Sequence, residues 1–430
     1  MNPDSLRDPL DRRTFVERCA RYAFGLSVLP LFGGRAFAVE IAAASTPAVR
    51  GAGFGKAKHV IFLELQGGLS HIDSFDPKIG ESKGPGGPIA TSADFQVTQY
   101  LPETAKIANK IAVIRSMTAK VGVHANAQYL MRTGFEKRGT IVHPMLGAWA
   151  QHYLGPSSKT LPSTVCVGRP ANHGNGYFPA AYSPLPILDP DEGLANAASH
   201  VSADIQTKRL GLLGQLDATF SKQVSDENVV AYNDFYDTTL QLMKSTDLKA
   251  FDLGAEPAEL RERYGRTKFG QGCLLARRLV ENGVRFVEVQ SGGWDMHKGL
   301  EDSMEEKGGD FDRAFAALVS DLDSRGLLDS TLVVVTTEFG RKPSFDGSGR
   351  GHHPISFSTA LAGGGVKRGY VHGSTDAKGY APATLPMTVG EFHATIAWAA
   401  GLPLEKEFIT PSGRPMTVGN KAKPALGVFA

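Results

Sequence analysis

Continuous apolar runs recur along the chain after residue 58, and they predict buried strands. Runs of Val, Ile and Leu that are bounded by Gly or polar residues are typical of strands covered on both faces. The first of these runs ends in a Gly pair, as expected of a central strand that leads into a functional loop. The runs are HVIFLELQGG (59–68), KIAVIRSM (110–117), STVCVG (163–168), VRFVEVQSGGW (284–294) and STLVVVTTEFG (330–340).

Segments with apolar residues at three- and four-residue steps lie between these runs and predict helices. They are AQYLMRTG (127–134), PMLGAWAQHYLG (144–155), KFGQGCLLARRLVENG (268–283), DFDRAFAALVSDLDSRG (310–326) and TVGEFHATIAWAAGL (388–402). The alternation of helix and strand predicts an α/β fold with one mostly parallel sheet flanked by helices. From about 193 to 264 we find no strand signal. Two amphipathic segments there, 203–220 and 229–245, predict a helical insertion or a cap over the sheet.

The first 38 residues have the layout of a secretory signal. Arg12 and Arg13 precede a modest apolar stretch, and Ala36-Phe37-Ala38 forms a small-x-small cleavage pattern. The paired arginines indicate the twin-arginine route, so we expect a periplasmic or extracellular protein. The apolar stretch is too short for a stable membrane span. The alternative to a signal is an amphipathic N-terminal helix of the fold. The Gly-rich segment 39–58 is interpreted as a linker.

Composition and charge mainly exclude classes of function. Apolar residues make up 42% of the chain, charged residues make up 21%, and the net charge is +2. This is ordinary globular composition without the basic field that nucleic-acid binding requires. Cys166 and Cys273 remain after signal removal; they could pair, or stay as buried free thiols.

Chemistry in such sheets lies beyond the carboxyl ends of the strands, and four of the predicted strands are followed by metal-ligating residue types. Imidazole and carboxylate groups together suit a divalent metal, zinc first, with manganese or iron as alternatives. Because parallel strands bring their ends to one edge, we expect several of these side chains to converge. The candidates are His71, Asp73, Asp76, His124, Asp295, His297, Glu338, His352 and His353.

Several candidates have structural interpretations that compete with a metal site. Asp73 and Asp76 could cap a helix or hold a turn, and either adjacent histidine could simply pack beside Pro354. Glu338 ends a buried strand, so it needs a cation or donors. Arg341 could be that cation; alternatively, Arg341 or Arg350 binds an anionic substrate group through two hydrogen bonds.

Three segments resemble the alkaline phosphatase/sulfatase superfamily. TLVVVTTEFGR followed by GRGHHP is similar to its strand ending in Asp-His-Gly with a later metal-binding His. HVIFLELQGG resembles its first strand, and HANAQYLMRTG (124–134) resembles the segment that begins with its Ser, Thr or Cys nucleophile. Further segments are similar to one branch of this superfamily, the domain of unknown function 1501: LQGGLSHIDSFDPK, RERYGRTKFGQGCLLARRLVENGVRFVEV, GGWDMH and AGGGVKRGYVHGSTD. The resemblance covers nearly the whole chain after residue 58 and implies an alkaline-phosphatase-like sandwich over 59–430.

The sequence departs from the catalytic members of that superfamily at three positions. Gln66 stands where the first-strand metal Asp is expected, His124 stands at the nucleophile position, and Phe339 replaces the His of the Asp-His pair. The resemblance implies one retained metal site and a second, rebuilt site, without the hydroxyl nucleophile. The retained site would use Asp295, His297 and one of His352 and His353. The rebuilt site would use His124, Glu338 and His71.

These residues predict an exported metal-dependent hydrolase acting on a phosphate or sulfate ester or a related anionic substrate. Metal-activated water would replace the missing nucleophile, with His124 as ligand or base and Arg341 near the substrate. The alternative is a non-catalytic binding or assembly factor for an envelope polymer or a co-exported protein. An oxidoreductase is disfavoured because LQGGLS and LAGGGVKRG lack the spacing of a dinucleotide-binding loop.

Overall fold

The computed structural model describes residues 51–169, 174–194, 201–223 and 239–430. The predicted signal peptide (1–38) and most of the predicted linker (39–58) lie outside these residues. So does most of the predicted helix over 229–245. In the described residues, no helix has the length and apolar character needed to cross a membrane.

A nine-stranded sheet forms the centre of the protein. Its strands run in the order β8-β2-β7-β6-β1-β5-β3-β4, with β9 paired to β2. Every pairing is parallel except those of β7, which is antiparallel to both of its neighbours. The α/β class and the mostly parallel sheet are therefore confirmed. The strands are β1 (His59–Leu65), β2 (Ile111–Thr118), β3 (Thr164–Val167), β4 (Leu185–Ile187), β5 (Phe286–Ser291), β6 (Thr331–Thr336), β7 (Phe357–Ala362), β8 (Tyr370–His372) and β9 (Met387–Thr388).

Helices cover both faces of this sheet. In the described residues they are α1 (Pro102–Lys106), α2 (His124–Thr133), α3 (Leu146–Leu154), α4 (Ala203–Gln223), α5 (Ala258–Tyr264), α6 (Lys268–Glu281), α7 (Leu300–Ser303), α8 (Gly309–Ser324) and α9 (Val389–Ala399). Local signals fix several of their ends. A capping box between Thr388 and Glu391 starts α9, and Gly134, at φ 77°, ends α2. The described parts of 193–264 contain helices and no strand.

The sheet separates two hydrophobic cores, and side chains alternate between them along each strand. Ile61 and Leu63 of β1 pack into the core beneath α6 and α8. Val60 and Phe62 pack into the opposite core, beneath α2, α3 and α9. Burial on both faces explains why the apolar run that predicted β1 is continuous rather than alternating.

The sequence analysis did not identify β7, although all six of its residues are buried. This strand, FSTALA, lies between β2 and β6 in the centre of the sheet. Its Ser, Thr and Ala residues weaken the apolar pattern that marks the other strands. The two cysteines that follow the predicted signal, Cys166 and Cys273, are both buried and free, so no disulfide joins them.

Candidate metal centre

Four loops meet at the carboxyl edge of the sheet and bring the candidate residues together. The parallel neighbours β1, β5 and β6 end side by side, at Leu65, Ser291 and Thr336. The loops after β5 and β6 carry Asp295 and Glu338. The strand β2 leads through a short turn to His124, the first residue of α2.

Asp295 lies at the centre of three imidazoles. Its Oδ2 atom is 3.3 Å from His124 Nε2. Its Oδ1 atom is 3.0 Å from His297 Nε2 and 3.2 Å from His352 Nε2. The two latter imidazole nitrogens are 2.9 Å apart. Histidines that follow different strands therefore direct their Nε2 atoms at one carboxylate.

The hydrogen bonds of His124 fix which of its ring nitrogens carries the proton. His124 Nδ1 is 2.9 Å from Glu338 Oε1, and this oxygen also accepts from the Gly67 N–H at 2.8 Å and from Gln128 Nε2 at 3.2 Å. A carboxylate oxygen held by two other donors acts as an acceptor, so Nδ1 is the donor. In the neutral ring, Nε2 then carries a lone pair. This buried nitrogen makes no hydrogen bond.

The same reasoning applies to His352. Its Nδ1 lies 2.9 Å from the Gly122 carbonyl oxygen, which can only accept, so Nδ1 donates. In a neutral ring, His352 Nε2 therefore also presents a lone pair to Asp295. A lone pair that faces a carboxylate oxygen is repulsive unless a cation or a shared proton lies between them.

These donor atoms fit a divalent metal. Ligand atoms of His124, Asp295 and His352 all lie within 4.8 Å of one another, the one such trio among the described residues. Imidazoles whose second nitrogen is held by a carboxylate or a carbonyl are the usual form of metal-binding histidine. Two nitrogens and one oxygen match the ligand preference of zinc and leave room for further ligands. His297, half-exposed beside His352, is placed to be one of these.

Arg341 occupies a different position from the one expected. Its side chain is fully buried, and it donates to Asp295 and to backbone carbonyls of three surrounding loops. None of these contacts involves Glu338, and no donor faces solvent. Arg341 therefore holds Asp295 rather than a substrate. Burial alone would raise the pKa of Asp295, but the hydrogen bond and charge of Arg341 outweigh it and lower this pKa to about 2.

Glu338 is also placed differently from the prediction. The sequence suggested a metal ligand, but its Oε1 atom is occupied by His124, Gly67 and Gln128. Glu338 therefore orients His124. Gly67, at φ 124°, allows the loop after β1 to pack closely against the loop after β5, because a Cβ atom there would collide with the backbone of Asp295.

The adjacent histidines point in opposite directions. The two-residue strands Gly340–Arg341 and His352–His353 pair antiparallel, and consecutive side chains of a strand lie on opposite faces. His352 faces Asp295. His353 donates to the Tyr380 carbonyl at 2.7 Å and stacks against His71, whose own Nε2 contacts the Gly379 carbonyl at 2.9 Å. His71 and His353 thus form a separate pair, against the prediction that they are ligands.

The aspartates after β1 have the structural roles that the sequence left open. Asp73 is fully buried and accepts from Arg350 Nε at 2.8 Å, so Arg350 is likewise unavailable to a substrate. Asp76 pairs with Lys78 at 3.0 Å and accepts from Thr375. Sequence reasoning missed Gln128, one turn after His124 on α2. The four-residue helical spacing between the two could have indicated it.

The chain belongs to the DUF1501 family of proteins of unknown function, whose model matches residues 57–429. No curated protein matches the sequence.

Several solved structures align with most of this chain at low identity. A sulfatase from Pseudoalteromonas sp. is 13% identical at a TM-score of 0.41, with 87% of this chain and 72% of that chain covered. A phosphonate monoester hydrolase from Silicibacter pomeroyi is 10% identical at a TM-score of 0.39, covering 81% and 74%. A lipoteichoic acid synthase from Listeria monocytogenes is 10% identical at 0.36, covering 86% and 77%. At these TM-scores the alignments say nothing about the chemistry of this chain.

Proposed function

We propose that the protein is an exported, metal-dependent hydrolase that acts on a phosphate or sulfate ester or a related anionic substrate. One observation carries the proposal: the Nε2 atoms of His124 and His352 both face Asp295, and in neutral rings both carry a lone pair. A divalent cation bound by these three residues satisfies all three groups. When bound, such a cation polarises an ester oxygen and acidifies a water.

Residues around the three ligands prepare them for this role. Glu338 holds the proton of His124 at Nδ1, and the Gly122 carbonyl does the same for His352. Arg341 keeps Asp295 ionised. The half-exposed His297 has its Nε2 beside this set, where it can ligate or can hold and release a proton.

Two buried hydroxyl groups on the loops after β1 and β6 are engaged in hydrogen bonds, which favours attack by water over attack by either of them. Ser70 donates to Asp73, and Thr337 donates to the Leu65 carbonyl at 2.8 Å while accepting from the Leu69 N–H at 2.9 Å. Both hydroxyls are buried and engaged, so neither is free to become a nucleophile.

The export part of the proposal rests on the sequence of residues 1–38. Arg12 and Arg13 would direct the protein through the twin-arginine route to the periplasm or the cell exterior. Fractionation of cells that express the full chain tests this. Replacing both residues by lysine should retain the protein in the cytoplasm, whereas unchanged export would exclude this route.

Elemental analysis of protein purified without chelator or added metal tests the centre. We expect about one equivalent of zinc, manganese or iron, in line with a site of three or four ligands. The variants Asp295→Asn and His352→Ala should lose the metal. The matched control His353→Gln keeps a donor for the Tyr380 carbonyl and should retain it.

Hydrolysis of p-nitrophenyl phosphate and p-nitrophenyl sulfate then tests the activity. Turnover of either ester that depends on the metal and disappears in His352→Ala would support the proposal. A metal-free, fully folded wild-type protein would refute it.

A second function is favoured by the position of the two arginines. Arg341 and Arg350 are fully buried and bound to the protein itself, so neither is available to bind an anionic group. This suits a non-catalytic binding or assembly factor for an envelope polymer or a co-exported partner. Metal binding without turnover of any ester, together with specific retention on an envelope polymer, would favour this function over hydrolysis.

A further inference from the structure

Two buried carboxylates lie on neighbouring strands, on the face of the sheet that α2 covers. Glu64 of β1 and Glu288 of β5 are each 1% exposed. Phe62, which packs beneath α2, is paired in register with Glu288 and precedes Glu64 by two residues. Paired residues of parallel strands share a face, as do alternate residues of one strand, so both carboxylates enter the interior on this side.

A single arginine of α2 contacts both carboxylates. Arg132, 8% exposed, donates through Nη2 to Glu64 Oε2, and its Nε atom lies 3.7 Å from Glu288 Oε1. These contacts attach α2 to β1 and β5. Because α2 begins at His124, the three residues anchor the helix that carries one of the proposed metal ligands.

Each of the two carboxylates has one engaged oxygen and one bare oxygen. Glu64 Oε2 also accepts from Gln66 Nε2 at 2.8 Å, and Glu288 Oε1 accepts from Gln290 Nε2 at 2.6 Å. Glu64 Oε1 and Glu288 Oε2 are buried and make no hydrogen bond. Buried polar atoms nearly always have a partner, so two bare oxygens in one cluster indicate a bound species.

The charges of this cluster do not cancel if both carboxyl groups are ionised. Two carboxylates and one guanidinium leave a net charge of −1 in the interior, where water cannot solvate it. The Cys166 thiol, 3.9 Å from Glu288 Oε1, adds no positive charge, and burial raises its pKa well above the usual range. In the described residues, the titratable groups that act on one another here are those of Glu64, Glu288, Arg132 and Cys166. One bound proton makes the cluster neutral and turns a bare oxygen into a donor.

We propose that the Glu64–Glu288 pair binds one proton at neutral pH and releases it in mildly alkaline solution, so that the anchoring of α2 on the sheet is sensitive to pH. This inference does not depend on the proposed function, because neither carboxylate is a ligand of the metal centre.

The direction of the pH dependence follows from the same surroundings. Burial raises the pKa of Glu64 from its usual 4.5 to about 7; Arg132 opposes this shift, and the negative charge of Glu288 adds to it. A pKa that is higher in the folded protein than in the unfolded chain means that the bound proton stabilises the fold. This stabilisation is complete below pH 4.5 and is lost as the pH rises through 7.

Infrared difference spectra between pH 6 and pH 9, recorded on the full chain, detect the proton directly. A C=O stretch of a protonated carboxyl group should be present at pH 6 and lost at pH 9, and Glu64→Gln should remove this change. In that variant the remaining carboxylate pairs with Arg132, so no proton is needed. Glu288→Gln should remove the change for the same reason, and serves if Glu64→Gln does not fold. The control Glu259→Gln alters an exposed glutamate of α5 and should behave as the wild type.

Urea unfolding at the same two pH values measures the effect on stability. Between pH 6 and pH 9, the folding equilibrium constant of the wild type should fall about tenfold relative to that of Glu64→Gln. Glu259→Gln should follow the wild type at both values.

Three results would each overturn the inference. The first is the absence of a pH-dependent carboxyl band that requires Glu64. The second is equal destabilisation of Glu64→Gln at both pH values, which would show a purely structural ion pair. The third is wild-type stability at pH 9 that is higher in sodium or potassium chloride than in choline chloride, with no such difference in Glu64→Gln. That result would identify a metal cation in place of the proton.

Discussion

Replacing Arg341 by Met should cost about 3 kcal/mol of unfolding free energy and abolish metal binding. The guanidinium is fully buried and joins three loops that meet at the sheet edge. Its backbone acceptors are the carbonyls of Gly67, Gly68, Trp294 and Arg350, and its one side-chain acceptor is Asp295.

The size of the effect follows from those acceptors. Methionine fills much of the volume but leaves the carbonyls of Gly67, Gly68 and Arg350 without their donor, and each costs about 1 kcal/mol or more. The Trp294 carbonyl still accepts from the Met296 N–H at 2.9 Å. Asp295 adds little to this sum, because its carboxylate is 46% exposed and water can solvate it. Lysine keeps the charge but cannot reach all four carbonyls, so Arg341→Lys should cost about 2 kcal/mol.

Urea unfolding, followed by far-ultraviolet circular dichroism and tryptophan fluorescence, measures these costs. Trp294 is buried beside Arg341, so its emission reports on this region. A surface control is Arg368→Met, which removes an exposed ion pair with Asp329 and should change stability by less than about 0.5 kcal/mol. If Arg341→Met unfolds within 1 kcal/mol of the wild type and keeps its metal, the reasoning about these carbonyls and Asp295 is wrong.

Three further predictions concern individual side chains. Burial lowers the pKa of His71 to about 4, below the value of about 6.5 in an unfolded chain, so stability should fall as the pH drops from 6.5 towards 4. His71→Gln should reduce the difference in unfolding free energy between pH 7 and pH 4.5 by up to about 3 kcal/mol, as measured by urea unfolding. An unchanged difference would contradict the assignment of this pH dependence to His71. Asp73→Asn and Arg350→Met should each cost about 3 kcal/mol or more, since each leaves a buried charge unpaired. A double-mutant cycle should show strong coupling between the two, and additive costs would refute it. Glu338→Gln should weaken metal affinity about 10- to 100-fold by releasing His124, as measured by chelator competition, whereas unchanged affinity would exclude the orienting role.

The sheet could be predicted where burial on both faces leaves a continuous apolar run, as in β1 and β6. It could not be predicted for β7, because FSTALA is buried by its position between two long strands rather than by its own composition. Hydrophobic pattern reports local preference, while this strand depends on neighbours that are far away in sequence.

The edge at which the site forms could also be predicted, because His124, Asp295, Glu338 and His352 all follow predicted strands. Their separate roles could not. The orientation of His352 depends on the register of a two-residue ribbon, and the role of Glu338 depends on donors from Gly67 and α2. Both are set by hydrogen bonds between distant segments, which spacing along the chain does not encode.

The charges at the centre connect metal binding with the binding of an anionic substrate. Asp295 and Glu338 are two carboxylates, and Arg341 supplies one positive charge, so with neutral histidines the centre carries a net charge of −1. A centre of that sign attracts a divalent cation and repels an anionic ester. With the cation in place the net charge of the centre becomes +1. The centre can then attract an anion even though Arg341 and Arg350 are buried and unavailable to it. Affinity for methylphosphonate, measured by titration calorimetry, should therefore vanish when the metal is removed.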